Sequence, residues 1–465
     1  MKQDMSRRSF LKIFGAGTVA TAATLAGCKS KAERQAVDDY IQQVEPPVGK
    51  MTYRQHPITG DKVSLLGYEM MRLPMTVDYR DEVDQKMVNR LVDYAIEHGV
   101  NYFDTAPAYC MGLSESSMGE ALSHHQRSEY LVATKLSNLH EEYWSREESI
   151  RMYKNSLKNL RVDYLDYYLL QDVGMGGMET FNRRFIDNGV LGYLVEEREA
   201  GHIRNLGFSF HGDITVFDEL LQLHDAGKYH WDFVQIELNY LDWDYANEIN
   251  DRNTNSRYLY EELLKRSIPV VIMEPLSGGR LANLPQNLAT TLKKYAPQRS
   301  GASWAFRYAG TPKGVLTVLS GMTYMEQLKD ALLSFCPFLP LTSKEQTFLQ
   351  HHLAEQIVGL ENVPCVDCKD CMPCPYGIDI PAIFKHYNKC VNEGTLPQSS
   401  KKDKAYWQNR RRYLIGLDRA VSKDRQPDHC IGCGQCEPYC PQNILIPREL
   451  HKISEFIEEL KRSGE

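Results

Sequence analysis

The chain has 465 residues, room for one large domain and a smaller one, and 42% hydrophobic residues with 10% aromatics are ample for a packed core. Its 54 basic and 61 acidic residues leave a net charge of −7, which excludes the basic footprint of a nucleic-acid binder. Twelve cysteines are many, and their placement matters more than their number: eight fall in two tight runs near the C-terminus.

The chain opens MKQDMSRRSFLKIFGAGTVATAATLAGCKS. Arg7 and Arg8 precede a mild apolar segment, Ile13 to Leu25, which is too short and too rich in Ala, Thr and Gly to span a membrane. The pattern resembles a twin-arginine export signal over residues 1–28, and the stretch from Leu25 to Cys28 resembles a lipoprotein cleavage box. The resemblance implies export to the periplasm or cell envelope, with Cys28 a candidate lipid anchor. A frayed basic terminus with a chance cysteine is the plainer alternative. Twin-arginine export carries folded proteins, so a prosthetic group assembled in the cytoplasm would survive transit. Residues 29–50 then read as a polar tether, stiffened by Pro46 and Pro47.

From residue 51 to 350 short apolar runs alternate with amphipathic ones. The strand-like runs are KVSLLGYEM (62–70), NYFDTA (101–106), YLVATKL (130–136), DYYLLQ (166–171), IRNLGFSF (203–210), FVQIEL (233–238), PVVIMEP (269–275) and VLTVLSG (315–321). Between the first two, Val83, Met87, Leu91 and Ala95 recur at four-residue steps, and the helix they predict ends at Gly99 as a C′ glycine would end it. Eight strands, each followed by a helix, predict an α/β chain folded as a (β/α)8 TIM barrel, whose site lies at the C-terminal strand ends.

Those ends carry Asp104 and Tyr109 (DTAPAY), Lys135 (ATK) and Gln171 (LLQD). Together with the endings of strands five to eight they resemble the aldo/keto reductase family, and the resemblance covers essentially the whole barrel. It implies a carbonyl reductase or alcohol oxidoreductase acting on a small-molecule substrate. A tyrosine hydroxyl supplies the proton that a developing alkoxide needs, and its ordinary pKa of about 10 must be lowered to do so. Lys135 is the cation placed to lower it, and Asp104 to hold Lys135. The plainer alternative is a buried Asp–Lys pair that merely bridges two strands.

The resemblance also implies a nicotinamide, NAD(H) or NADP(H), in the barrel mouth. Ser209, Gln235 and Asn239 match positions near its carboxamide. Pro275, Leu276, Ser277, Gly278 and Gly279 match the loop along the pyrophosphate, and Gly321, Gln327 and Asp330 the stretch around the adenosine. Gln327 stands where the family often carries a basic residue, which leans the expectation toward NADH. Two departures oppose nicotinamide chemistry. Gln171 replaces a histidine that orients the carbonyl; it can donate a hydrogen bond but cannot titrate. Glu69, in Gly67-Tyr68-Glu69-Met70-Met71-Arg72, replaces a glycine beneath the dinucleotide. His211, after strand five, reads as a rim histidine.

Residues 351–465 hold the two cysteine runs. The first is Cys365, Cys368, Cys371 and Cys374, then Pro375; the second is Cys430, Cys433, Cys436 and Cys440, then Pro441. The second spacing is that of two-cluster ferredoxins, in which the fourth cysteine serves the other cluster. By that crossover Cys365, Cys368, Cys371 and Cys440 hold one 4Fe-4S cluster, and Cys430, Cys433, Cys436 and Cys374 the other. Zinc and disulfides are open to thiols as well, but neither accounts for two runs that each end Cys-Pro. The intervening residues read as helices, which predicts a largely helical ferredoxin-like domain. Arg410, Arg411 and Arg412 are a candidate docking face for an acidic electron partner. Two classes of function therefore stand: an exported iron–sulfur oxidoreductase, or a non-enzymatic electron-transfer subunit whose barrel is a scaffold for a membrane redox complex.

Overall fold

The structure is a computed structural model and describes residues 44–76, 82–250, 253–398 and 403–463. The segment carrying Arg7, Arg8 and Cys28 lies outside the described residues. Among the described residues no helix is long and apolar enough to cross a membrane.

Eight strands close a parallel barrel: β3 (Leu66–Glu69), β4 (Tyr102–Asp104), β5 (Leu131–Leu136), β6 (Leu165–Val173), β7 (Ile203–Phe210), β8 (Phe233–Glu237), β9 (Val270–Met273) and β10 (Val315–Gly321). β10 returns to pair with β3. Period-two alternation divides each strand between two cores. Tyr102, Ala133, Tyr167, Leu169, Phe233, Val271 and Leu319 fill the barrel interior. Their neighbours Phe103, Val132, Tyr168, Leu170, Val234, Ile272 and Val318 pack outward against the helices. Gly67 fits because the interior has no room for more: a Cβ there would stand 2.7 Å from Leu319 Cδ2 and 2.9 Å from Thr317 Oγ1.

The first strand-like run divides in two. Residues 62–64 form β2 (Lys62–Ser64), which folds back on β1 (Tyr53–Gln55) as an antiparallel hairpin, and only 66–69 enter the barrel. The turn between β1 and β2 supplies the reason: Gly60, at φ +73°, lets its N–H reach the His56 carbonyl at 3.0 Å. The helix after β3 runs Gln85–Glu97, with the Asp84 carboxylate accepting from the Met87 N–H at 3.0 Å and Gly99 beyond its end at φ +90°.

The C-terminal domain builds a second core from helices Ile380–Asn392, Lys404–Ala420 and Ile446–Arg462, in which Phe384, Tyr413, Leu417, Ile453 and Ile457 are buried. Of the three arginines, Arg411 and Arg412 are exposed and Arg410 is half-buried. Its guanidinium donates to the carbonyls of Leu460 at 2.5 Å and Lys461 at 3.3 Å, satisfying the last turn of the final helix. Arg412 lies 3.5 Å from Glu393.

This domain sits on the C-terminal mouth of the barrel. Arg72, just past β3, donates to the Val366 carbonyl. Val366 packs so closely on the loop after β9 that a Cβ on Gly278 would lie 2.4 Å from its Cα. On the far side Gln442 donates to Glu237 at the end of β8, Asn250 donates to the Gln442 carbonyl at 2.6 Å, and the rings of His140 and Tyr439 stand 4.5 Å apart.

Candidate active site and cluster pockets

The barrel brings Asp104, Tyr109 and Lys135 together beneath the cysteine-rich domain. Asp104 closes β4 and Lys135 lies on β5, so parallel pairing sets the ammonium beside the carboxylate. Lys135 Nζ donates to Asp104 Oδ1 and, at 2.9 Å, to the Thr105 carbonyl. Both side chains are buried, at 1% and 0% exposure. Asp104 Oδ2 has no hydrogen-bond partner. Burial raises the Asp104 pKa and Lys135 opposes the rise.

Tyr109 is 8% exposed. Its ring, not its hydroxyl, meets the cation: Lys135 Nζ lies 4.7 Å from the ring centroid. The hydroxyl donates to Glu69 Oε1 at 3.5 Å. Lys135 therefore does not depress the tyrosine as the sequence led us to expect. Burial pushes the Tyr109 hydroxyl well above 10, and Glu69, Asp104, Asp172 and Asp370 push it further. The physical reason is count: four carboxylates reach the hydroxyl through a dry interior, against one ammonium already paired with Asp104.

Gln171 lies in β6 with its Oε1 accepting from the Ser137 hydroxyl, which leaves the amide NH2 as its donor end. Its main-chain carbonyl accepts from Arg184 at 2.7 Å, a buried guanidinium whose pKa burial lowers to about 10. His211 is not at the rim. It is 9% exposed and wedged between Asp172 and Glu237, each 3.6 Å away, with its pKa lowered by burial.

The positions matched to a dinucleotide divide. Pro275, Leu276, Gly278, Gly279, Gly321, Gln327 and Asp330 line one groove of about 840 Å³, joined by Glu69, Arg72 and Glu274; Ser277 is absent from its wall. Ser209 Oγ accepts from the Asp172 N–H at 3.0 Å. Asn239 is engaged as a cap, accepting from the N–H groups of Leu241 and Asp242, both at 2.9 Å. Gln235 Oε1 is buried without a partner, the one polar atom of that trio left for a carboxamide. The pyrophosphate end does not fit a dinucleotide. The Gly278 N–H, which would face a phosphate, donates to Glu274 Oε2 at 2.6 Å, and Val366 covers the other face of that glycine. Glu69, Glu274 and Asp330 set three carboxyl groups against Arg72 where two phosphates would need cations. Gln327 Oε1 accepts from the N–H groups of Thr323 and Tyr324 at 2.8 and 3.1 Å, so it caps its own helix.

The cysteines fit iron–sulfur clusters. Cys365, Cys368, Cys371 and Cys440 line a single small pocket, closed by Ile380, Phe384, Ile444 and Ile446. Four thiols round one pocket are the donor set that a 4Fe-4S cluster would take. Burial pushes Cys365 up to about 11 and Cys440 up to about 12, so only cationic metal among them would hold them as thiolates. Cys436 is likewise pushed up to about 11 by burial, with Cys430 and Cys433 as its charged neighbours, and Cys433 is exposed. Cys374 packs on the same domain core as Cys430 and Cys436. The eleven described cysteines are all free thiols. The pocket of Cys440 faces the barrel, because Val366 and Gln442, which touch it, are also in its lining.

Sequence reasoning singled out Glu69 and Asp104 but missed the other acids that join them round the mouth. Glu69, Asp104, Asp172, Glu237 and Glu274 stand at or just past five strand ends, and Asp370 joins them from the cysteine loop, its pKa raised to about 7 by burial with Asp172 and Glu274 nearby. The signal was present as one carboxylate closing each of five apolar runs.

The comparisons agree with this architecture. The model of the aldo/keto reductase family matches residues 70–353, and that of a 4Fe-4S dicluster domain matches residues 364–445. An L-galactose dehydrogenase of Arabidopsis thaliana is 25% identical over 288 residues, which is 58% of this chain and 84% of the relative. An aldo-keto reductase from Bacillus halodurans superposes with a TM-score of 0.51 at 24% identity, covering 64% of this chain and 95% of its own. Another from Klebsiella pneumoniae, in complex with NADPH, superposes with a TM-score of 0.50 at 18% identity, covering 67% and 96%. At those identities the superpositions speak for the fold alone. With a closed eight-stranded barrel and more than half of its length inside the family match, the chain belongs to the aldo/keto reductase family and is an oxidoreductase carrying a 4Fe-4S dicluster domain.

Proposed function

We propose that the barrel exchanges two electrons with a carbonyl or alcohol substrate, that these electrons pass through the dicluster domain rather than a nicotinamide, and that Tyr109 is the proton donor. The observation that carries this reading is the seating of the first cysteine loop on the barrel: Val366 covers Gly278, and Arg72 ties the Val366 carbonyl to the end of β3. When bound, the clusters supply single electrons at potentials within about −700 to +450 mV. An isolated ketyl lies far below that range, so the substrate is a conjugated carbonyl, quinone-like or α-dicarbonyl, whose half-reduced form is delocalised. Gln171 offers its NH2 to the carbonyl oxygen, Tyr109 gives that oxygen a proton, and Lys135 holds Asp104 in place beneath it.

The resemblance of residues 1–28 to a twin-arginine signal supports the same reading. A protein exported with its clusters works where free nicotinamide is not replenished, at the envelope or tethered there through Cys28. A redox partner, membrane-bound or soluble, would then supply or take the electrons. One observation favours the scaffold alternative: Tyr109 is 8% exposed beneath the cysteine loop. A single experiment separates them. Cluster-loaded protein, reduced stoichiometrically with titanium(III) citrate and desalted, is mixed with quinones and α-dicarbonyls while cluster absorbance is followed. An enzyme reoxidises with product formed, and Tyr109→Phe stops product with both clusters intact. A scaffold gives identical traces for both proteins.

A further inference from the structure

We propose that Glu69 is a proton-relay residue, carrying protons from the groove beside the barrel mouth to the Tyr109 hydroxyl; this rests on the cluster-fed reading above. The two carboxylate oxygens face two places. Oε1 accepts from the Tyr109 hydroxyl at 3.5 Å. Oε2 lies 3.9 Å from where a Cβ on Gly321 would stand, and Gly321 and Glu69 both line the groove of about 840 Å³. Tyr109 itself does not line that groove. Glu69 thus bridges a buried hydroxyl and an open groove whose wall also carries Arg72, Glu274, Gln327 and Asp330.

The reaction explains why a carboxyl stands where the family resemblance calls for glycine. A hydride brings its own hydrogen, so a nicotinamide-fed reduction needs one proton. Two electrons arriving singly bring none: C=O + 2 e⁻ + 2 H⁺ → CH–OH. A one-electron carrier would supply the electrons through the dicluster domain. Tyr109 gives the first proton to oxygen, Glu69 reprotonates Tyr109, and Tyr109 then gives the second, which forms the C–H bond of an alcohol or the second O–H of a hydroquinone or enediol. Groove water restores Glu69.

The charges round Glu69 suit it to hold and release a proton. Asp104 and Lys135 face it from β4 and β5, Glu274 from the loop after β9, Arg72 from its own strand's exit, and Tyr109 from above. Burial raises its pKa to about 7, with Asp104 and Glu274 raising it and Lys135 and Arg72 lowering it. An ordinary surface glutamate, at about 4.3, is always empty at neutral pH.

The test uses cluster-loaded wild type, Glu69→Gln and Tyr109→Phe. An infrared pH titration should show a buried carboxyl band that is missing in Glu69→Gln, has its midpoint near pH 7, and moves upward in Tyr109→Phe, which removes the hydroxyl donor. A midpoint in the ordinary carboxylate range, or one indifferent to Tyr109, overturns the proposal. Reduction of benzil, phenylglyoxal and menadione by the reduced clusters should slow about a hundredfold in Glu69→Gln, the low end for a positioned proton donor. Its pH–rate profile should lose the step near 7 while the cluster EPR spectra stay as in wild type. Equal rates and profiles overturn the relay alone. If wild type leaves every probe untouched, the cluster-fed reading falls and takes the relay with it.

Discussion

Removing the cation from the buried Asp104–Lys135 pair should damage the barrel more than removing both charges. Lys135→Met strands a carboxylate that is 0% exposed and whose Oδ2 already lacks a partner. Asp104→Asn leaves the ammonium with the Thr105 carbonyl at 2.9 Å and an amide oxygen in place of a charge. Each single change should cost about 3–5 kcal/mol, the usual penalty for an unpaired buried ion. The double variant keeps an amide and a thioether of similar volume and no charge, so it should lie within about 1 kcal/mol of wild type. The coupling energy is then about 5 kcal/mol or more, far above the few tenths expected of independent sites. Anaerobic urea unfolding of the cluster-loaded proteins, followed by far-ultraviolet circular dichroism, measures all four corners. Additive single and double effects would refute the reasoning. They would mean that Lys135 is not held by charge, and that no fixed cation stands under Tyr109.

Three further outcomes follow from the same geometry. Because the folded Glu69 pKa, about 7, exceeds its ordinary 4.5, the folded state binds that proton more tightly; the stability it contributes is intact below 4.5 and lost as pH rises through 7. Glu69→Gln should therefore gain about 2–3 kcal/mol on wild type between pH 5 and pH 8 in paired unfolding curves, and a difference constant with pH would contradict this. Cys440→Ser should lose the cluster nearest the barrel and half the iron, keeping the EPR signal of the other cluster; loss of both, or of neither, would reject the crossover assignment. Gly278→Ala puts a Cβ 2.4 Å from the Val366 Cα at a residue whose φ is +62°, so it should lower stability by about 1–3 kcal/mol and perturb that same cluster's spectrum. A spectrum identical to wild type would show that the cysteine loop does not rest on the barrel.

Most of the barrel was legible because parallel strands covered on both faces read as unbroken apolar runs: FVQIEL and VLTVLSG name β8 and β10 almost to the residue. The hairpin below the barrel was missed, although a Gly60 turn between two short alternating runs marks it, because KVSLLGYEM is long enough to pass for one strand. The triad of Asp104, Tyr109 and Lys135 and both cysteine runs were visible as motifs. What no motif carries is how the two domains meet. That Val366 covers Gly278, that Arg410 is spent on a helix terminus, and that Tyr109 turns its hydroxyl to Glu69 are all contacts between residues far apart in the chain. They also reverse one expectation, a lowered tyrosine pKa, because burial and the surrounding carboxylates outweigh the single ammonium.

The central claim is that clusters, not a dinucleotide, feed this barrel. The most direct measurement is an anaerobic titration of the cluster-loaded protein with NADH and then NADPH, following nicotinamide fluorescence for binding and cluster absorbance for reduction. With Glu274 holding the Gly278 N–H and Val366 packed above it, the account predicts no saturable binding of either nucleotide and no bleaching of the clusters. Saturable binding of either one, with or without bleaching, would contradict it and return the groove to hydride chemistry.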